Sequence, residues 1–257
     1  MKKQILLAAL ALAGLSVQAQ VDVLPTNVNK TLVTPVRSSD RNLLIFPNVP
    51  GYVTLKGDFH IHTVGSDGSV KGNVRVQEAW RDGLDVIAIT DHVGRSSSKY
   101  AQDRATGYNQ ALPEAEAKGI LLIRAAEISG SPHKFGHFNC LFVKDQNKLV
   151  KDSCQDAIAE AKAQGSFIFL NHPAWRRDTC SFLLVQVPYV EDGLIQGVEV
   201  FNGGEHYPRA ISWAVDKKWT MFANSDAHTG IETAQDGDFR NINIDIAKNK
   251  SHKRDRK

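Results

Sequence analysis

The segment GDFHIHTVGSDGS, at residues 57–69, places His60 and His62 two positions apart and Asp67 five positions later. Residues i and i+2 of a β-strand face the same side, so both imidazoles are expected on one face of a sheet. Two imidazoles and a nearby carboxylate are typical ligands of a transition-metal ion. An H-x-H pair alone fits equally well a half-buried pair that bonds to backbone carbonyls, so the rest of the chain must decide.

Further candidate ligands follow short apolar segments that predict buried strands. Examples are VIAIT at 86–90, FIFL at 167–170 and TMFA at 220–223. These segments are apolar on both faces, as in parallel sheets covered by helices. The carboxyl ends of parallel strands meet at one face of the molecule, where active sites are built. The residues expected at this face are His92, Glu127, His172, Asp226 and His228.

One candidate histidine begins a strand instead of ending one. His137 opens the segment GHFNCLFV, and no helix separates it from Glu127. A hairpin would bring His137 back beside the end of the preceding strand. His133 competes for the same role, but Ser131 and Pro132 predict a loop that leaves it exposed, so His137 is preferred.

The candidate set contains six histidines, two aspartates and one glutamate. A single catalytic zinc needs about three protein ligands, so nine candidates indicate several ions with bridging carboxylates. This many ionisable groups at one rim would be costly unless cations neutralised them. The set is His60, His62, Asp67, His92, Glu127, His137, His172, Asp226 and His228.

The predicted strands alternate with amphipathic segments that end at Gly83, Gly119 and Gly165. Glycine is common just after a helix, because it adopts the left-handed conformation without strain. Repeated alternation of strand and helix indicates an α/β fold with parallel strands. At this chain length a single barrel domain is a simpler arrangement than two separate domains.

The motifs DFHIHTVGSDG, ITDH, AAE, GHFN, LNHP and NSDAH, in this order, resemble the series found in the PHP (polymerase and histidinol phosphatase) domain family. The segments VRVQEAWRDGLDVIAITDH and VEVFNG resemble those of the exported phosphodiesterase subgroup labelled Sb-PDE. The resemblance implies a distorted (β/α)7 barrel. Relatives continue well past the NSDAH motif, so a barrel shortened at its C-terminus is also an expectation.

The resemblance further implies three divalent ions, which would be zinc, manganese or iron. His60, His62 and Asp226 would hold the first ion, and Asp67, His92 and His228 the second. His137 and His172 would hold the third together with Glu127, which would bridge to another ion.

The implied activity is hydrolysis of a small phosphodiester by a metal-bridged hydroxide. The alternatives are a phosphomonoesterase of the histidinol phosphatase kind, an amide-cleaving enzyme with a similar metal centre, and an inactive metal-binding relative. Candidate substrate contacts are Arg177 and His206, which follow strand ends. Asn202 matches a position in the resembled subgroup and is expected to contact substrate or to orient a ligand.

The N-terminus has Lys2 and Lys3, an apolar run and small residues ending at Ala19, the pattern of a cleaved signal peptide. We therefore expect a periplasmic or secreted protein without a membrane anchor after cleavage. The predicted organisation is a signal peptide at 1–19, an extended lead-in at 20–50, a metallohydrolase domain at 51–246 and a basic tail at 247–257.

The formal net charge is +3, but the last ten residues contain six basic residues and one acidic residue. The remainder of the mature chain is therefore slightly acidic, which disfavours a nucleic-acid partner. Cys140, Cys154 and Cys180 allow one disulfide, but the sequence does not select a pair. The sequence does not specify an oligomeric state.

Overall fold

The structure is a computed structural model that describes residues 41–94 and 103–231. The predicted signal peptide, most of the lead-in, the last part of the predicted metallohydrolase domain and the basic tail lie outside these residues. Within the described ranges, no helix has both the length and the apolar composition needed to cross a membrane.

A single curled sheet forms the centre of the domain. The strands follow one another around the sheet in chain order from β1 to β6, and β6 also pairs with β7 and β8. The strands are β1 (Gly57–Ile61), β2 (Val86–Ile89), β3 (Leu121–Ser129), β4 (His137–Leu141), β5 (Phe167–Leu170), β6 (Gly197–Asn202), β7 (Glu205–His206) and β8 (Thr220–Asn224).

Most neighbouring strands are parallel, and β4 is the main exception. It runs antiparallel to both β3 and β5, with His137 opposite Ser129 and Asn139 opposite Glu127. The predicted hairpin is therefore present, and it returns the start of β4 to the carboxyl end of β3. β7 is a short strand antiparallel to β6.

The sheet curls until β8 lies beside β1. The backbone N–H of His62 donates to the Ala227 carbonyl at 3.0 Å, and that of Asp226 donates to the His60 carbonyl at 2.9 Å. The Phe59 N–H donates to Asn224 Oδ1 at 3.0 Å. These bonds bring the segment after β8 directly against the histidine pair of β1, which confirms the expected distorted barrel of an α/β fold.

The helices cover the outside of the sheet, and residues typical of helix ends mark two of these ends. The Ser153 hydroxyl accepts from the Asp156 N–H at 3.0 Å at the start of the third helix. Gly119 ends the second helix with φ +67°. The helices are α1 (Gly72–Arg81), α2 (Thr106–Lys118), α3 (Cys154–Ala163), α4 (Val187–Glu191) and α5 (Pro208–Lys217).

Aromatic side chains fill the interior of the curled sheet below the polar rim. The rings of Phe169 and Phe222 stack at a centroid distance of 4.1 Å, and Phe59 meets Phe222 edge-on at 5.7 Å. Ala88 and Ala125 complete this buried cluster. Close packing makes this layer a rigid floor under the site, because side chains there have little room to move.

Cys140, Cys154 and Cys180 are free thiols.

Candidate metal centre

The nine side chains expected at one rim do converge there. They belong to the ends of β1, β2, β3, β5 and β8 and to the start of β4. Their donor atoms form four overlapping groups that could each hold a metal ion. Within each group, all donor atoms lie within 4.8 Å of one another. The groups are His62, Asp67, His92 and His228; His60, His172 and Asp226; His60, His62 and Glu127; and Glu127, His137 and His172.

The inner part of the site contains a triangle formed by His60, His62 and Asp226. The two Nε2 atoms lie 3.2 Å apart, and each lies 3.2 Å from Asp226 Oδ1. Donors bound tetrahedrally to one zinc ion at 2.0–2.1 Å would be about 3.3 Å apart. The triangle therefore has the dimensions of three ligands around one ion.

The outer part of the site is more open to solvent. Asp67 Oδ2 lies 3.4 Å from His92 Nε2, and Asp67 Oδ1 lies 3.4 Å from His228 Nε2. The same oxygen is 3.7 Å from His62 Nδ1. The side chain of Asp67 is 50% exposed and that of His228 is 37% exposed, whereas those of His60 and His62 are fully buried. The site is therefore reached from the side of Asp67 and His228.

Glu127 lies between these groups and contacts five imidazoles. Its Oε2 is 2.7 Å from His92 Nδ1 and 3.5 Å from His62 Nε2. Its Oε1 is 3.0 Å from His137 Nδ1 and 3.5 Å from His60 Nε2. The distance from Oε1 to His172 Nε2 is 3.6 Å. One buried carboxylate thus faces donor atoms from all three predicted ligand sets.

Buried polar groups hold the loops that carry the candidate ligands. Asp91 accepts from the Thr63 N–H at 2.7 Å and from the Ser66 hydroxyl at 2.7 Å, which fixes the loop after β1. Arg75 of α1 donates to the carbonyls of His62 and Ala227, both at 2.9 Å. A single guanidinium therefore links the segments that follow β1 and β8.

Two candidate ligands adopt backbone conformations that are rare for residues with a side chain. His172 has φ +23° and Asp226 has φ +53°. Such strain persists only where surrounding contacts enforce it, and it concentrates at functional sites. The backbone thus directs both side chains into the site at the ends of β5 and β8.

Burial and neighbouring charges shift the pKa of several site residues in opposite directions. Burial, reinforced by the charges of His228 and His92, lowers the pKa of His62 to about 3. Burial also disfavours the charged form of His92, but Glu127 and Asp67 outweigh it and raise its pKa to about 10. Burial raises the pKa of the Asp226 carboxyl, yet His60 and His62 bring it well below its usual range. Protons and metal cations therefore compete for the same strongly negative pocket.

Two buried carboxylate oxygens lack a hydrogen bond of acceptable geometry. They are Glu127 Oε2 and Asp226 Oδ1. Leaving a charged oxygen buried and unsatisfied is costly, so such atoms require an explanation such as an ion. The imidazole nitrogens beside both oxygens repel them whenever those nitrogens carry a lone pair instead of a proton. The donor set therefore fits divalent cations better than it fits a network of hydrogen bonds.

The remaining predicted residues lie at different depths around the centre. Asn202 is buried and donates to Glu199 at 2.9 Å, so it supports a neighbour of His60. Arg177 is half-buried, lines a small cavity with His137 and His172, and donates to the Pro173 carbonyl. His206 and His133 are exposed, and His133 is not among the grouped donors.

Comparison with known proteins agrees with this geometry. The family model of the PHP domain matches residues 58–216, which is more than half of the chain. The chain belongs to the PHP domain family. The matched range includes seven of the nine converging residues and ends before Asp226 and His228. The comparison with curated proteins finds no match for this sequence.

Solved structures similar to this PHP domain include a two-domain protein from Bacteroides vulgatus that contains a predicted PHP-like metal-dependent phosphoesterase. The identity is 41% and the TM-score 0.72, over 76% of this chain and 58% of that one. The chain thus spans little more than half the length of this relative.

Two more distant structures share the fold of this PHP domain. One is a putative metal-dependent phosphoesterase from Bifidobacterium adolescentis, with 16% identity and a TM-score of 0.54 over 69% of this chain and 89% of that one. The other is an amidohydrolase from Chromobacterium violaceum, with 16% identity and a TM-score of 0.52 over the same shares of the two chains.

Sequence reasoning missed three buried charged residues that support the site of this PHP domain. Asp91 and Arg75 hold ligand loops, and Glu199 of β6 contacts the His60 ring at 2.8 Å. One signal was available for Glu199. It is a charged residue inside the otherwise apolar segment GVEVF, and a buried charge in a strand needs partners.

Proposed function

We propose that this protein is an exported metal-dependent phosphoesterase that hydrolyses small phosphodiesters. Three divalent ions would be held by the nine converging side chains. The first set is His60, His62 and Asp226, the second is Asp67, His92 and His228, and the third is Glu127, His137 and His172. Membership of the PHP family and the 41% identical relative from Bacteroides vulgatus support the phosphoesterase activity.

The observation that carries the proposal is the position of Glu127. Its carboxylate is 1% exposed and faces nitrogens of five imidazoles from different strands. One carboxylate offers about four lone-pair sites, so hydrogen bonds to Glu127 alone cannot satisfy five imidazoles. Structural zinc sites usually have about four protein ligands per ion, whereas nine ligands shared by three ions leave positions open for water and substrate.

Divalent cations at such a centre lower the pKa of bound water toward neutrality and stabilise charge that develops on phosphoryl oxygens. The chain's own residues then position the reactants. His60 and His62 present their Nε2 atoms to the ions from β1 and the loop after it, and Glu127 supplies negative charge between the ligand sets. Because phosphoryl transfer depends mainly on position and charge, this fixed arrangement supplies what the reaction needs.

Substrate would enter from the exposed side formed by Asp67 and His228. Trp175 packs against the rings of His137 and His172, at centroid distances of 5.2 and 5.1 Å, and forms a wall beside the third ligand set. Arg177 follows in the same loop and is a candidate contact for the negative charge of the ester. Asn202 supports the ligand His60 indirectly, through its hydrogen bond to Glu199. His206 stays a predicted substrate contact.

The test is a comparison of a phosphodiester with its monoester on protein of defined metal content. Bis(4-nitrophenyl) phosphate and 4-nitrophenyl phosphate would be assayed with chelator-treated protein reloaded with zinc, manganese or iron. We expect diester cleavage that depends on the added ion and that disappears in Glu127→Gln. Cleavage of the monoester alone would replace our proposal by a phosphomonoesterase, and absence of both activities would favour an inactive metal-binding relative.

Export is proposed on the N-terminal sequence pattern. The test is to express the full chain and to measure the N-terminus of the protein in the periplasmic fraction. A mature chain that begins at Gln20 is the expected result. Recovery of the uncleaved chain in the cytoplasm would contradict export.

A further inference from the structure

We propose that Glu199 is a positioning residue that orients His60 and His172 together for ion binding. This inference rests on the proposed metal-dependent function and adds to it a residue outside the nine candidate ligands. Glu199 lies in β6, has a relative exposure of 0%, and points into the curled sheet beneath the site.

The carboxylate of Glu199 contacts the site through one bond from each of its oxygens. Oε1 accepts from the His60 ring at Nδ1, at 2.8 Å. Oε2 accepts from the backbone N–H of His172, at 2.7 Å. His60 and His172 lie on β1 and at the end of β5, so one carboxylate of β6 links residues from two other strands.

The bond to the imidazole determines which nitrogen of His60 is free. When Nδ1 carries the proton that it donates to Glu199, Nε2 of the neutral ring holds a lone pair. That Nε2 faces Asp226 Oδ1 and His62 Nε2, each at 3.2 Å. Glu199 therefore directs the lone pair of His60 into the triangle that would hold the first ion.

The bond to the backbone supports a strained conformation. His172 has φ +23°, which is rare for a residue with a side chain. A charged acceptor at its N–H compensates for this strain and keeps the ring turned toward Glu127, 3.6 Å from Oε1. The same carboxylate therefore acts on the third ligand set as well as on the first.

Glu199 itself has no remaining capacity to bind an ion. Besides the two contacts to His60 and His172, Asn202 donates to Oε2 at 2.9 Å and Asn224 donates to Oε1 at 2.8 Å. An ionised carboxylate offers about four lone-pair sites, and four donors occupy them. Its role is therefore to orient ligands and not to be one.

The test is Glu199→Gln in the full-length protein, with Ile158→Val as the control. Glutamine keeps the volume but turns one acceptor oxygen into a donor that faces other donors. Ile158 is a buried residue of α3, a helix that supplies no candidate ligand, so its truncation lowers stability without changing the site. Chelator-stripped proteins would be titrated with Zn²⁺ against a chromophoric competitor, and the zinc-loaded, ¹⁵N-labelled forms would be examined by NMR.

We expect Glu199→Gln to weaken zinc binding by about 10- to 100-fold, the range found for residues that orient metal-bound histidines. We also expect loss of the exchange-protected His60 Nδ1–H signal, whereas Ile158→Val keeps both properties. Unchanged affinity and an unchanged signal in Glu199→Gln would overturn the inference, as would an equal weakening in Ile158→Val. Wild-type protein that takes up no zinc would instead overturn the proposed function, and this inference with it.

Discussion

The Nε2 atoms of His60 and His62 lie 3.2 Å apart and face the same oxygen of Asp226. Two neutral imidazoles that carry their protons on Nδ1 would, in this arrangement, point lone pairs at each other and at a carboxylate. A proton or a cation between them removes the conflict. Burial and the charges of neighbouring histidines lower the pKa of His62 to about 3, so His62 resists taking that proton. Burial also disfavours the charged form of His60, but Asp226, Glu199 and Glu127 outweigh it and raise the pKa of His60. A proton therefore sits on His60 until a divalent ion displaces it.

The first prediction concerns His62, which takes part in both the inner and the outer donor groups. In His62→Gln we expect the zinc content to fall by at least one ion per chain and kcat/KM for the diester to fall by more than about a hundredfold, because even residues that only support a ligand cost 10- to 100-fold. Elemental analysis and steady-state kinetics measure both. The matched control is His133→Gln, since His133 is exposed and absent from the donor groups. Equal losses in the two variants would contradict the assignment.

The second prediction concerns metal removal. Ions that bind only the folded state stabilise it, by about 2.7 kcal/mol per site at a free concentration of 100 Kd. Chelation should therefore lower the Tm, and added zinc should restore it in a concentration-dependent manner. Calorimetry of Glu127→Gln provides the comparison, because the loss of the central carboxylate should shrink the zinc-dependent rise. A Tm that changes neither with chelator nor with zinc would show that these residues hold no ion in the folded protein.

The third prediction concerns Gly68, next to Asp67. A Cβ at Gly68 would lie 2.7 Å from the backbone carbon of His62 and 2.7 Å from the backbone N of Thr63. Gly68→Ala should therefore displace the loop and weaken the Asp67 group, which zinc titration would detect. Gly119→Ala is the control. Gly119 has φ +67° and no neighbour within 4 Å of an added Cβ, so its substitution should cost roughly 1–2 kcal/mol of stability, the cost of the left-handed conformation for alanine, and leave zinc binding intact.

The fourth prediction is a pH dependence of stability at Asp85. This carboxylate accepts from Arg41 Nη2 at 2.8 Å and lies 2.7 Å from Lys56 Nζ, which joins the segment before β1 to the start of β2. Hydrogen bonds from Lys56, then its charge and that of Arg41, lower the pKa of Asp85. A depressed pKa in the folded state contributes stability above the unfolded value of about 3.9, and this contribution is lost as the pH falls through the folded pKa.

Urea denaturation of Asp85→Asn between pH 7 and pH 3 tests the direction of this change in stability with pH. The variant should be less stable than wild type by up to about 1 kcal/mol at pH 7, the range for exposed ion pairs, and the difference should shrink at the acidic end. Glu116→Gln changes an exposed carboxylate of α2 and should show no such trend. A difference that grows toward low pH would refute the assignment.

The local signals of the sequence determined much of the fold. Apolar segments of four or five residues located β2, β5 and β8 to within a residue. β2 and β5 are buried strands, as their apolar faces predict, whereas β8 is not the buried strand expected, since one of its faces is exposed and Met221 is 44% exposed. Ser153 caps the start of α3. α2 begins at Thr106 and continues through Pro113, because its packing against α1 outweighs the low helix propensity of an internal proline.

The sequence also determined which residues would meet, because strand ends converge wherever parallel strands share a sheet. Only the tertiary structure decided how they meet. His62 lies between two donor groups, Glu127 faces five imidazoles, and Glu199 supports His60 across 139 positions of sequence. Such pairings depend on the curl of the whole sheet and on strained backbone at His172 and Asp226, which arise from contacts distant in sequence and leave no periodic pattern along the chain.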